Sequence, residues 1–411
     1  MMGPYIVLSE PLKIDENTLK KLERDYNKFG DSDMPENIEK YIMVEYQLDI
    51  SANFAGYRIK NPFGKASGQL SMNLHQIEND VLSGLSFIVL KTVIAEDNTG
   101  KSTMKNWKIN ESAMKVEKIK SKSGLIGWTV TWKGRGWSKS FDEYIELYRK
   151  SLELSDKYGI PISASCLFHL PTQNEEFKLK EYEYSVSKLF KAYKSKKHVF
   201  DMILEIDFSP TLNVLASAKD LKNVKRWFSE IPKIVRKYSD SNIRLGAKVF
   251  NSTFGVKEQA KILKYALESD FDFLTLFNRL YDPIKNIAYG GYDLSDRNLT
   301  VMDETSDDIC AFLKSKKYIS ATGNICNGKM MIEYALRGAS SGQIHTFFQI
   351  PIKYYRMKNG LRSRRALHEL IFNPSEGLIP SMYHLECSKF DEIAEARCKL
   401  NNEKNNGKCN D

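Results

Sequence analysis

From Asn61 onward the chain alternates short β-rich runs with stretches of helical periodicity, and that alternation limits the fold more than any other feature. Strands separated by helices cannot pair as hairpins, so they must run parallel and be covered by the helices between them. Eight strands are read at 63–67, 87–91, 161–165, 202–205, 244–249, 273–277, 319–322 and 343–346. Eight such units predict a (β/α)8 barrel of the α/β class. The 411 residues suit one elaborated barrel or two ordinary domains, and 42% hydrophobic residues are enough to bury a large core.

Helices are predicted at 16–29, 73–82, 141–158, 218–238, 256–267, 306–315 and 328–337. The clearest is 141–158, where Phe141, Tyr144, Ile145, Tyr148 and Leu152 share a face and Gly159 ends it. Residues 1–47 read as an N-terminal extension and 48–385 as the barrel. Residues 386–411 read as a polar, disordered tail. The run LDISANFAGYRIKNPF reads as a hairpin around Ala55 and Gly56 that plugs the bottom of the barrel. Two long insertions, 92–140 and 278–305, follow the C-terminal ends of strands 2 and 6, where lids or substrate loops are expected.

The stretch from Tyr318 to Phe348 packs strand, glycine turn, helix and strand closely together. Asn327 reads as the cap of the helix, and Gly338 as its end. Two parallel strand ends then lie side by side, with loop N–H groups and nearby helix N-termini facing any bound anion. The excess of 61 basic over 52 acidic side chains, a net charge of +9, is spread along the chain and favours anions only weakly. No apolar run approaches the length of a bilayer span, and no basic-then-apolar leader opens the chain, so a soluble, cytoplasmic protein is expected. The six cysteines are sparse, which suits a reducing compartment. Cys387, Cys398 and Cys409 lack a C-x-x-C pair, so no metal site is expected.

Eight motifs, one at each strand, fall in the order seen in the dihydroorotate and dihydropyrimidine dehydrogenases. They are NPFGKASG, FIVLKT, PISAS, LEID followed by SP, GAKV, LTLFN, TGNICNG and GASSGQIHT. The chain resembles that family over roughly residues 48–350, and the resemblance implies an FMN-binding barrel with the flavin over the C-terminal strand ends. It places Ala66, Ser67 and Gly68 beside the flavin ring, with Lys91 and Thr92 at its polar edge. Lys248 becomes a second lysine near the ring and ribityl chain, stabilising negative charge on the reduced cofactor. Gly290 and Gly291 match a Gly-Gly in the loop after strand 6. Gly323, Asn324, His345 and Thr346 match the phosphate cup, and Asn278 an asparagine that contacts substrate.

The departures concern the substrate side. In SKSGLIG, Ser121 and Gly127 stand where the family has ring-reading asparagines, leaving Gly124 and Leu125 as the matching substrate positions. After strand 4 the chain reads Asp207, Phe208, Ser209, Pro210, Thr211. Either a residue is deleted and Ser209 is the catalytic base, or no base remains; Asn213 is a substitute for the lost asparagine. A serine needs a water path or a neighbouring acceptor to act as a base, and the plainer reading of Ser209 is a turn residue before Pro210. Cys166 and His169 are reserve candidates, with a core thiol and a loop histidine as the plainer readings.

The resemblance therefore implies an FMN-dependent enzyme acting on a CH–CH or C=C bond next to a carbonyl, in a small cyclic, pyrimidine-like substrate. Alternatives are an ene-type reductase whose flavin is reduced by an electron-transfer partner, and a non-catalytic barrel binding flavin or nucleic acid. Further copies of the chain are expected as partners, but not a membrane. The sequence NTGKS lacks the first P-loop glycine, no G-x-G-x-x-G occurs, and the lysines of KLFKAYKSKKH read as a solvated helix end rather than a nucleic-acid site.

Overall fold

The computed structural model describes residues 4–108, 114–121, 123–124, 126–132, 136–209, 220–239, 242–252, 255–282, 287–291, 295–396 and 398. Leu125 and Asn213 lie outside these residues, as do residues 399–411 of the predicted tail. Eight parallel strands are present: β1 (Phe63–Lys65), β2 (Ile88–Val89), β3 (Ile162–Leu167), β4 (Ile203–Asp207), β5 (Arg244–Asn251), β6 (Phe273–Asp282), β7 (Tyr318–Ala321) and β8 (Ser341–Ile344). Each pairs with its neighbours in chain order. β8 returns to β1 through Gly342 opposite Phe63, and β5 meets β6 through Gly246 opposite Phe273, so the sheet closes into a (β/α)8 barrel. Helices cover the outside, and strand residues such as 162–167 are buried throughout, as expected where both faces are covered.

Local chemistry explains the helix ends. Ser140 and Glu143 form a reciprocal capping box at the start of Phe141–Tyr158, and Gly159, at φ 64°, ends it. Tyr144 then fixes this helix to the barrel, its hydroxyl donating to the Ser165 carbonyl at 3.2 Å and accepting from the Ser165 N–H at 3.1 Å. Asn73 and Asn327 cap Leu74–Leu82 and Gly328–Ala335 by accepting from the N–H groups of Gln76 and Met330. Helices at Ile38–Tyr46, Leu179–Tyr193, Ser295–Glu304 and Leu378–His384 add to those predicted.

The predicted hairpin, Ala52–Phe54 with Tyr57–Ile59, covers the N-terminal end of the barrel. Phe54 is fully buried, stacked on Phe87 with centroids 3.9 Å apart and tilted against Phe273 at 5.5 Å. Glycine is required next to these rings. A Cβ on Gly64 would lie 2.3 Å from Phe87, and one on Gly246 2.1 Å from Phe273.

The described strands of the two insertions pair with one another. Met114–Lys120 and Ile126–Trp132 make an antiparallel pair, and Ile287–Gly291 joins it to the end of β6, with Tyr289 opposite both Thr131 and Leu280. They form one antiparallel arm that continues β6 beyond the barrel mouth. At the N-terminus, the N–H groups of Ile6, Val7 and Leu8 donate to Glu333 Oε1 at 2.8, 2.6 and 2.8 Å, and Arg337 binds the other oxygen at 2.8 Å. The N-terminal extension is thus tied onto the helix between β7 and β8. Cys310 and Cys398 form a disulfide, contrary to the expectation of reduced cysteines, and join the C-terminal segment to Ser306–Lys314. Among the described residues no helix is long and apolar enough to cross a membrane.

Candidate functional site

A cavity of about 670 Å3, including its open mouth, lies at the C-terminal end of the strands against β7 and β8. Its wall includes Ala66, Ser67, Lys248, Asn278, Gly323, Asn324, His345 and Thr346, so eight of the predicted site residues converge there. β1 brings Ala66 to β8, its N–H donating to the Ile344 carbonyl at 2.9 Å. Next to it, a Cβ on Gly68 would lie 2.4 Å from the His345 ring, so that close approach depends on glycine.

The turn after β7 has Gly323 at φ 120° and Asn324 at φ 52°, a left-handed region that asparagine tolerates better than most residues. Asn298 donates to the Thr322 carbonyl at 3.0 Å and the Tyr334 hydroxyl to the Gly323 carbonyl at 2.8 Å, drawing those oxygens toward the helix layer. Asn324 Oδ1 is buried and has no hydrogen-bond partner. The helix N-terminus expected to face the cup is already satisfied by protein. The Met330 N–H goes to Asn327 Oδ1 at 2.8 Å and the Lys329 N–H to the Glu376 carbonyl at 3.0 Å, and Gly328 packs on the backbone of Leu378. Capacity for an anion therefore rests on the loops.

Lys91 and Lys248 are both buried at the strand ends. Burial, reinforced by the charges of Arg279 and Lys248, pulls the Lys91 ammonium down to about 7, while Asp207 opposes the shift. Lys248 Nζ lies 3.9 Å from the buried Glu205 Oε1. Glu205 is held by Thr275 Oγ1 at 2.6 Å and Gln343 Nε2 at 2.7 Å, which places a polar layer inside the barrel. Burial and the surrounding Lys65, Lys91, Lys248 and Arg279 hold His345 well below the usual imidazole range, so its ring is neutral.

A second cluster joins strand ends β1, β2, β4 and β6. Ser209 Oγ donates to Asp207 Oδ1 at 2.5 Å, and Asn278 Nδ2 reaches Asp207 Oδ1 at 2.9 Å and Ser209 Oγ at 3.1 Å. Thr92 Oγ1 donates to Asp207 Oδ2 at 3.4 Å and lies 2.7 Å from Ser67 Oγ. Ser209 thus has a neighbouring carboxylate acceptor, two residues past the end of β4.

Other predicted residues lie elsewhere. Gly290 and Gly291 sit opposite Val130 and Thr129 in the arm, and Gly124, which turns between the arm's two strands at φ 93°, does not line the cavity. Cys166 is a buried thiol pushed well above its ordinary range, and His169 pairs with Glu175 at 2.9 Å. In the lysine run, Lys188 pairs with Asp142 and Lys196 with Glu153, as a solvated helix end would.

Sequence reasoning missed Asp207, Trp128, Arg279 and Gln343 as site residues. Asp207 was detectable as a carboxylate closing the apolar run ILEID; Trp128 arrives from the distant arm. Among the described residues no group of His, Cys, Asp or Glu could hold a metal ion. Compared with known proteins, the chain matches no protein-family model and no curated protein.

Proposed function

We propose that this chain is an FMN-dependent oxidoreductase that acts on a CH–CH bond next to a carbonyl in a small cyclic, pyrimidine-like substrate. The observation that carries this reading is the pairing of two adjacent chemistries at one barrel mouth. A cup from β7 and β8 lies beside buried Lys91 and Lys248, and a Ser209–Asp207–Asn278 cluster lies within reach of it. The cup fits such a cofactor through its wall, where the loop residues Gly323, Asn324, His345 and Thr346 meet the buried Lys248.

Gly323, Asn324, His345 and Thr346 would hold the phosphate, and Lys91 and Lys248 the polar edge of the ring. FMN, when bound, supplies a two-electron acceptor for the hydride. The chain's residues handle the proton. Ser209 Oγ takes it from the substrate carbon next to the one losing hydride, and its own proton passes to Asp207 Oδ1 as the C=C bond forms. Asn278 orients both groups, and Thr92 holds the other carboxylate oxygen. Ser121 and Gly127 provide no ring-reading amides, so the substrate differs in its polar edge from a pyrimidine read by two asparagines.

The test is direct. The purified or FMN-reconstituted protein should be yellow, and a dihydropyrimidine from a panel including dihydroorotate should bleach it without oxygen. A protein that stays colourless in excess FMN overturns the reading.

A further inference from the structure

A second groove, of about 970 Å3 including its open mouth, adjoins the cup. The two share Trp128, Asn324, Cys326 and Phe347, so they are continuous around the Asn324 turn. Resting on the reading that the cup holds a flavin phosphate, we infer that this groove is a nucleotide subsite. It takes a nucleoside monophosphate, either as the adenylate half of a flavin dinucleotide or as a free nucleotide beside FMN.

The lining calls for a ligand that has both an aromatic face and hydroxyl donors. Trp128 and Tyr354 meet edge to face at 4.7 Å, and Tyr354 is 46% exposed, which leaves ring surface open for a base to stack on. Lys118 Nζ and Lys353 Nζ stand 5.8 and 5.2 Å from the Tyr354 ring centroid, placing two cations beside that platform for a phosphate. The rest of the polar lining is rich in acceptors. Asn324 Oδ1, on a side chain 6% exposed, has no partner at the junction, and Glu376 faces the groove while holding Asn327 Nδ2 at 3.1 Å. Acceptors at the junction require O–H or N–H donors, which ribose hydroxyls provide and a bare anion does not.

Calorimetry on the flavin-free and FMN-loaded chain would compare FMN, FAD, AMP and D-ribose. The inference expects FAD to bind at least about tenfold tighter than FMN if the nucleotide is covalently attached, or AMP to bind the FMN-loaded chain if it is free. In either case Tyr354→Ala should weaken the nucleotide about tenfold and leave FMN affinity unchanged, because Tyr354 lines the groove but not the cup. FAD no tighter than FMN together with no AMP binding overturns the inference, as does D-ribose binding as tightly as AMP, or a Tyr354→Ala variant with unaltered nucleotide affinity. The flavin-free arm separates the two proposals. A chain that binds AMP through Tyr354 but refuses both flavins sinks the flavin reading alone, and one that binds FMN but shows no preference for a nucleotide sinks the groove alone.

Discussion

The two ends of the barrel are built from the same eight strands with opposite chemistry. At the N-terminal end, Phe54, Phe87 and Phe273 stack under a hairpin, with glycines 64 and 246 making room for the rings. At the C-terminal end, Lys248 and Asn278 line a cavity, and Asn278 also joins a hydrogen-bonded cluster with Asp207 and Ser209. One end is packed with aromatic rings, whereas the other gathers buried charged and polar groups that burial penalises.

The comparison breaks if substitutions at the two ends have the same effect. Phe54→Ala should cost about 3–5 kcal/mol of stability, read by denaturant unfolding, while flavin affinity in the folded protein stays constant. At the other end, Ser209→Ala should slow substrate-driven flavin reduction at least about 100-fold without altering stability or flavin affinity, and Asp207→Asn should do the same. A wild-type rate in Ser209→Ala, measured by stopped flow, removes that residue from the mechanism.

Lys91 connects the comparison to pH. With its folded value near 7 against an ordinary 10.5, the unfolded chain carries the extra proton between those limits. Stability therefore gains from rising pH across that window, by at most roughly 1.4 kcal/mol per pH unit. Lys91→Met should flatten that slope, as unfolding curves at pH 7.5 and 9.5 would show; parallel slopes in the two proteins would refute the burial argument. The smallest effect belongs to the outer layer. Ser140→Ala removes one side of a capping box and should cost about 1 kcal/mol, with chemistry at the mouth unaffected.

Most of the barrel could be read in the chain because its cues are local. Each of the eight strands lies within a few residues of its predicted position, and Asn73, Ser140 and Asn327 mark helix starts by the hydrogen bonds their side chains accept. The cup residues Ala66, Ser67, Gly323, Asn324, His345 and Thr346 could be named from motif order. The arm could not, since its strands at 126–132 and 287–291 are separated by more than 150 residues and pair only because both grow from the same mouth. Nor could the Glu333 latch, which is made with backbone N–H groups that every residue carries.

What the sequence alone determined was the closed barrel and the gathering of the cup residues at the C-terminal ends of its strands. Period and punctuation are written residue by residue, and eight parallel strands under helices leave few other arrangements. The tertiary structure alone decided which polar groups meet. Asp207 beside Ser209 and Asn278, and Trp128 in the same cavity wall as Asn324, depend on register between strands and on the docking of an insertion. Those contacts are set by packing across the whole chain, where neither spacing nor propensity carries the information.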